Sequence, residues 1–249
     1  LEQELVQLYQ EEAKDRGAEF CPPNGMMMKR TIEAFDLYKD YLHGKKCFLD
    51  WGCRSAETSY MIRSYLPEQV EIHGCDIQRG KYNKFAQASN LIYTDLTHPY
   101  QLPYKDSFFD VVVGNGVLEH AVNDAESLKE LHRVIKNDGY LIIMFLPNQW
   151  SYTEFITRNI TNKAFHNRLY RMSEIKRMLL HSGFIPVKAG YHQMFPSMAS
   201  IDRTSDSTGT KLLPLLNQVY KLNKYAEKIW LLNKLSSNIF VVAQRASMI

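Results

Sequence analysis

The sequence predicts a doubly wound α/β domain, and three observations predict it. Short apolar runs alternate with helical patterns from about residue 47 to residue 146. The run "FFDVVVG" (108–114) is apolar almost throughout, as a parallel strand covered on both faces should be. The stretch "FLDWGCRSAETSY" (48–60) passes from an apolar strand to a helix through an acid, an aromatic and a glycine, in the manner of a nucleotide-binding turn. A pyrophosphate-binding turn would carry G-x-G-x-x-G, yet only Gly52 is present here.

The 249 residues suffice for one large α/β domain, expected over 1–249, and 45% hydrophobic with 23% charged residues is an ordinary globular balance. Residues 1–44 read as N-terminal helices, at 1–16 and 27–43, split by the breaker "GAEFCPPNG". A cofactor-binding core is expected over 45–146. Its strands fall at 47–51, 70–75, 90–93, 109–114 and 140–146, and its helices at 56–66, 80–88 and 123–136. Segment 147–171 is polar and aromatic, too long for an ordinary connection, and reads as a lid over a substrate. A helix (172–182) and the strand "FIPVKAGYH" follow, then a Ser/Thr-rich stretch (192–210), an amphipathic helix from about 212 to 235 and a last strand at 239–244. Segments 147–171 and 192–235 are the expected substrate caps.

Cys21, Cys47, Cys53 and Cys75 form no C-x-x-C pair and read as reduced thiols, so neither a zinc nor a disulfide framework is expected. No run of 18 apolar residues and no leader pattern are found, and a cytoplasmic location is expected. The net charge of +3 is unevenly spread. Residues 1–150 carry 16 Lys+Arg against 22 Asp+Glu, net −6, and residues 151–249 carry 14 against 5, net +9. That asymmetry reads either as solvated helix faces or as a surface for something anionic: a phosphate, an acidic glycan or a membrane.

Open parallel sheets bind ligands beyond the carboxyl ends of their strands. The first strand ends Asp50-Trp51-Gly52-Cys53, and the second ends in Asp76 followed by Ile77. An ionised acid such as Asp76 offers two acceptor oxygens, enough for both hydroxyls of a ribose. The third segment brings Asp95 and Leu96, suited to an adenine's amino group and ring face. The fourth ends "GNGVLEH", where Gly114, Asn115 and Gly116 let backbone approach a ligand closely. Singly each acid reads as a cap or turn residue; three at successive strand ends point to a ligand.

Residues 48–147 resemble the core of a class I S-adenosylmethionine-dependent methyltransferase, in the small-molecule group that includes the ubiquinone/menaquinone-type enzymes. The resemblance is carried by "LDWGCRSAETSYMI", "GCDIQ", "YTDL" and above all "LPYKDSFFDVVVGNGVLEHAVNDAESLKELHRVIKNDGYLIIM". It extends through "FHNRLYRMSEIKRMLLHSGF" to about residue 191. It implies a Rossmann-like sheet of seven strands in the order 3-2-1-4-5-7-6. It further implies that S-adenosylmethionine is the cofactor, with S-adenosylhomocysteine as product, and that the glycine turn wraps its methionine part. The implied cofactor set is Asp50, Trp51, Gly52, Cys53, Asp76, Ile77, Asp95, Leu96, Asn115 and Gly116. The chain departs from the family where Arg54 replaces a second glycine, near Ala56 where another is usual, and at "KNDG", which keeps only Gly139 of a Pro-Gly-Gly turn.

A sulfonium methyl is already electrophilic, so the protein must align the acceptor and, for a hydroxyl, remove its proton. His120 follows the fourth strand at the family's active-site mouth and is the first candidate base; the alternative is that it only shapes the pocket or caps a helix. His166 and His192 lie in the cap segments and are the other candidates. The strand-end acids are taken by the cofactor, so no metal is expected. A nucleic-acid acceptor is excluded by the missing aromatic turn after the fourth strand and the absence of a basic stripe.

In "KLLPLLNQVYKLNKYAEKIWLLNKL" (211–235), Leu212, Leu215, Leu216, Val219, Leu222, Ile229 and Leu232 form a stripe with lysines beside it. It reads as a cap helix, or as a surface for anionic lipid or a lipid-linked substrate. The expected reaction is methylation of a small or medium organic acceptor, foremost O-methylation in the biosynthesis of a secondary metabolite or a glycan or lipid-linked sugar. The alternatives are C-methylation of a quinone-like or polyketide carbon, and a non-catalytic cofactor-binding scaffold.

Overall fold

The computed structural model describes residues 1–16, 25–67, 69–77, 84–159, 166–195, 218, 221–226 and 229–246. Seven strands form one sheet: β1 (Cys47–Trp51), β2 (Glu71–Asp76), β3 (Ile92–Asp95), β4 (Phe109–Asn115), β5 (Ile135–Pro147), β6 (Phe184–His192) and β7 (Asn238–Arg245). Their order is β3-β2-β1-β4-β5-β7-β6, with β7 antiparallel to both neighbours and the other pairs parallel, the order that the resemblance implies. All five residues of β1 are buried, as the centre of a sheet covered on both faces requires.

One face carries α1 (Glu2–Arg16), α2 (Gly25–Asp36), α3 (Glu57–Tyr65) and α4 (Lys84–Ala88), packed through Leu5, Phe35, Met61, Ile62 and Phe85 on Phe48, Val111 and Val113. The other carries α5 (Asp124–Val134) and α7 (Met172–His181), whose Leu128, Leu131, Ile175 and Leu179 meet Leu49, Val112 and Ile143. Strand alternation divides these two sets. Asn123 caps α5 by accepting the Glu126 backbone N–H, and Asp124 and Glu126 in the first turn suit the helix dipole.

Several boundaries differ from expectation. Asn90, at φ 51°, ends the α4 connection, so β3 begins two residues late. The helix expected to residue 136 stops at Val134 because Ile135 pairs with Phe109 and joins β5. Residues 136–139 then bulge from the ladder, with Asp138 at φ 59°. The expected 27–43 helix is α2 followed by a 3-10 turn, Lys39–Leu42. The expected lid contains α6 (Tyr152–Asn159).

The long helix expected over 212–235 is not continuous in the described residues. It appears as α8 (Asn223–Ala226) and α9 (Trp230–Asn233), separated at Ile229, whose backbone is extended. Leu222, Ile229 and Leu232 of the expected stripe are exposed, while Leu212, Leu215, Leu216 and Val219 lie outside the described residues. Among the described residues, no helix is long and apolar enough to cross a membrane.

Candidate active site

The carboxyl edge of the sheet opens where β1 and β4 meet. Gly52 (φ 70°) turns the chain there, and the Gly52 and Cys53 N–H groups both donate to the Cys75 carbonyl, at 2.8 and 3.1 Å. A Cβ at Gly52 would stand 2.5 Å from Val117 Cγ2, so both conformation and space call for glycine. Arg54 (φ 38°) and Ala56 (φ 62°) hold the left-handed conformations that glycines would adopt freely. The departures from the family's glycine pattern are thus absorbed as local strain, and the turn keeps its course.

Asp50 is buried below this turn. Its Oδ2 accepts the Ser59 backbone N–H (3.1 Å) and hydroxyl (2.7 Å), supplying the N-terminal turn of α3 with the cap that Ala56 cannot give. Burial pushes its carboxyl up to about 7, against the Ser59 hydrogen bonds. Its carboxylate thus shapes the turn from inside. The Cys53 thiol faces Gly74 and the Trp51 indole packs on Gly114, both side chains buried.

At the tip of β2, Asp76 Oδ2 accepts the Arg54 N–H at 3.0 Å, which ties the turn to the acid. Asp76 and Asp95 are register partners across β2 and β3, and the Leu96 N–H donates to the Asp76 carbonyl at 2.9 Å. Ile77 beside them is 69% exposed, an apolar side chain held in water at the strand tip. Asn115, ending β4, donates to Thr58 Oγ1 at 2.6 Å and leaves its Oδ1 buried without a partner. Gly116 follows at φ 66°. The structure thus gathers Gly52, Asp76, Ile77, Asp95, Leu96, Asn115 and Gly116 along one edge.

Across from them, the 3-10 turn Leu118–His120 carries an exposed His120 and a buried Glu119. Burial, then the neighbouring His166 and Arg54, hold the His120 pKa below its ordinary value. Burial raises Glu119 to about 7, opposed by its own backbone N–H, His166, Arg30 and Arg168, and its Oε2 has no partner. The His120 and His166 rings are 6.5 Å apart, although 46 residues separate them in sequence.

Behind His166 stands Glu154 of α6, buried, with Oε1 2.5 Å from His166 Nδ1. Burial alone would raise Glu154, but His166 and Arg158 outweigh it and hold the carboxyl below its usual range. An ionised carboxylate only accepts, so Nδ1 of His166 carries a proton toward Glu154. Arg158 also donates to the His166 carbonyl, fixing the strap that carries the ring. Sequence reasoning passed over Glu154, Glu119, Arg30 and Arg168. Glu119 was visible only as the neighbour of His120 in "VLEH", and nothing local marks Glu154.

His192 is buried at the carboxyl end of its strand. It ends β6 opposite Asn238, 4% exposed, and packs against Phe145 and Phe240. Burial, helped by Arg30, pushes its pKa down to about 3, so it is a neutral core residue. Strand alternation turns the last residue of β6 inward.

Comparison with known proteins bears on the domain and its fold. Residues 49–143 match the methyltransferase-domain family. The chain is 31% identical over 87 residues to a probable S-adenosylmethionine-dependent methyltransferase of Mycobacterium tuberculosis, covering 35% of this chain and 31% of that one. It is 28% identical over 121 residues to a ubiquinone/menaquinone biosynthesis C-methyltransferase of Citrifermentans bemidjiense, covering 46% and 52%. The chain thus spans between about a third and about half of the length of these relatives. A putative methyltransferase of Bacillus halodurans shares the fold, with TM-score 0.59 and 17% identity over 87% of this chain and 100% of that one. Over residues 49–143, then, the chain is similar to methyltransferase-domain proteins, and its fold is one that solved methyltransferases share.

Proposed function

We propose that the protein transfers a methyl group from S-adenosylmethionine to a small or medium organic acceptor, foremost a hydroxyl oxygen, releasing S-adenosylhomocysteine. The observation that carries the reading is the Glu154–His166 pair, placed across the mouth from the glycine turn and the strand-tip acids.

The residues fit the cofactor. Gly52 lets the turn run close against Val117 where no Cβ fits, Ile77 offers an apolar surface in water, and Asn115 Oδ1 is a buried acceptor without a donor. On this reading Asp76 holds the ribose hydroxyls, Asp95 and Leu96 flank the adenine, and Asn115 with the 52–54 and 115–116 backbone receives the methionine end. When bound, the cofactor supplies an electrophilic sulfonium methyl. The chain's own task is then to orient the acceptor and move one proton. His166 Nε2 takes the acceptor's proton, and Glu154 holds the ring in the required tautomer and steadies the imidazolium that forms. His120 and Glu119 border the same space and orient the acceptor.

The acceptor's class has support beside the strap. A cleft of 680 Å³ is lined by Arg158, Arg171, Arg177, Gln149 and Asn167, with Glu174 as its acid. In the extended segment 166–171, His166 and Tyr170 face inward while Asn167, Leu169 and Arg171 line this cleft. An arginine-rich cleft with exposed Trp150 and Phe155 nearby favours an acceptor bearing an acidic group, such as a glycan acid or the phosphate of a lipid-linked sugar. Peripheral contact with a membrane belongs to the same reading. The relative named as a C-methyltransferase favours a second one, in which His166 removes a proton from an acidic C–H of a quinone-like or polyketide carbon.

Titration calorimetry with S-adenosylmethionine and S-adenosylhomocysteine tests the proposal: both should bind, and binding of neither overturns it. Methyl-labelled cofactor with a panel of candidate acceptors then identifies the product, whose labelled carbon is bonded to oxygen under the first reading and to carbon under the second.

A further inference from the structure

At the amino edge of the sheet, away from the candidate active site, three metal-binding side chains from two strands come together. Cys47 opens β1 opposite Glu71, which opens β2, and His73 follows two residues later. Residues two apart on a strand share a face, so all three stand on the face covered by α5 and α7. The thiol sulfur, a carboxylate oxygen and a ring nitrogen lie within 4.8 Å of one another. His73 Nε2 is 2.5 Å from Glu71 Oε1, while Nδ1 is buried without a partner, so the ring's one polar anchor points into the trio.

The surroundings suit a bound ion. Tyr104, Phe108 and Phe109 pack edge-on against His73, with ring centroids 5.5, 5.4 and 5.4 Å away, and close it from water. The Cys47 N–H donates to Asp110 Oδ2 at 2.9 Å, which fixes the strand end that carries the thiol. Glu71 is half exposed and leaves an entry path.

We propose that Cys47, Glu71 and His73 bind a zinc ion, with water in the fourth position. Sulfur, imidazole nitrogen and carboxylate oxygen are zinc's usual donors. Bonds of about 2.0–2.3 Å in tetrahedral geometry put neighbouring donors roughly 3.3–3.6 Å apart, within reach of small side-chain rotations here. A thiolate and a carboxylate neutralise the dication, so no net charge is placed in this half-buried site. Binding forms one bond from zinc to each donor. The thiol proton goes to solvent, and the imidazole proton that Nε2 shares with Glu71 passes to Nδ1. The ion clasps the amino ends of β1 and β2. Linear zinc motifs do not reveal the site, because its ligands come from separate strands and Cys47 has no cysteine neighbour at the usual spacing.

The test uses the full chain, reduced and freed of metal with a chelator, then titrated with cobalt(II) and with zinc. One equivalent of cobalt should bind, with a thiolate-to-cobalt absorption band in the near ultraviolet, and zinc should displace it. Cys47→Ser should abolish the band. Glu71→Gln, at a half-exposed position that the fold tolerates, should weaken zinc binding by at least about tenfold, no less than the loss of a supporting contact costs at metal sites. Zinc should raise the melting temperature of the unmodified chain by more than that of Glu71→Gln at the same zinc concentration. No stoichiometric binding, binding without the thiolate band, or a band that survives Cys47→Ser each overturns the proposal.

Discussion

On the β1–β3 side of the carboxyl edge, the candidate site is shaped by backbone. Gly52, Arg54 and Ala56 hold left-handed conformations, two N–H groups converge on one carbonyl of β2, and Asp50 braces the turn from inside. On the β4–β5 side it is shaped by side-chain charges that meet across long stretches of sequence: Glu154 with His166 and Arg158, and Glu119 among Arg30, Arg168 and His166. A half whose shape is set by backbone conformation suits a ligand that never varies. A charge-built half responds to protonation, and suits proton transfer and a variable acceptor.

If this division holds, a change on the charged half should affect turnover and leave cofactor binding alone. His166→Ala is expected to lower kcat by roughly 10²–10⁴-fold, the contribution of a positioned general base. Titration with the cofactor should show unchanged affinity, because the loss belongs to the transition state. Glu154→Gln should reduce kcat in the same direction by less, since the ring stays but loses its charged partner. His120→Ala decides between the two imidazoles: a larger loss there than in His166→Ala moves the base to His120 and breaks the pairing argued from Glu154.

The backbone half should show its own electrostatics in stability. The Asp50 carboxyl, raised to about 7 when folded, binds a proton more tightly folded than unfolded. Its contribution is fully present below the ordinary carboxylate pKa and is lost as pH rises toward and through 7. Asp50→Asn lacks that loss. Relative to the unmodified protein it should gain stability between pH 4 and pH 8, by up to about 4 kcal/mol, the free energy of a rise of this size. Denaturant unfolding at both pH values measures it, and a pH-independent difference removes Asp50 from the account.

The turn, Asp76, Asp95 and the strand order were legible because each lies within a few residues of an apolar strand, where local pattern carries the information. The charged half was not. His166 and Glu154 sit 12 residues apart across a polar stretch, and His120 joins them only after β5 and the strap have folded. The burial of His192 was hidden for a related reason: at a strand end, one step of alternation separates an exposed residue from a core residue. The brace from Asp50 to α3 was hidden because a strand-end acid can cap a helix start as readily as bind a ligand.

Asp76→Ala should weaken S-adenosylmethionine binding by about 1.5–3 kcal/mol, roughly ten- to 150-fold, the scale for hydrogen bonds to a charged group. Its carboxylate also receives the Arg54 N–H, so a modest fall in stability should accompany the loss. Turnover at saturating cofactor should stay within a few-fold of normal. A collapse of kcat at saturation would show that the two halves are coupled through the turn.

The smallest expected effect is the one most particular to this chain. Arg54 sits at φ 38°, where a side chain costs about 1–2 kcal/mol relative to glycine. Arg54→Gly relieves that strain but frees the unfolded chain, which offsets about 0.4–1 kcal/mol. The balance is a gain of roughly 0.5 kcal/mol, or about 1–2 °C in melting temperature for a chain of this size. The N–H that bonds Asp76 survives the change, so cofactor affinity should hold. Arg54 also joins burial and His166 in holding the His120 pKa down, so its loss should let that pKa rise. A turnover profile that moves to higher pH in Arg54→Gly would make His120 the titrating base. An unmoved profile, beside a large loss in His166→Ala, leaves the proton with the Glu154–His166 pair. A fall in melting temperature would show instead that the arginine side chain supports the turn by contacts that outweigh its strain.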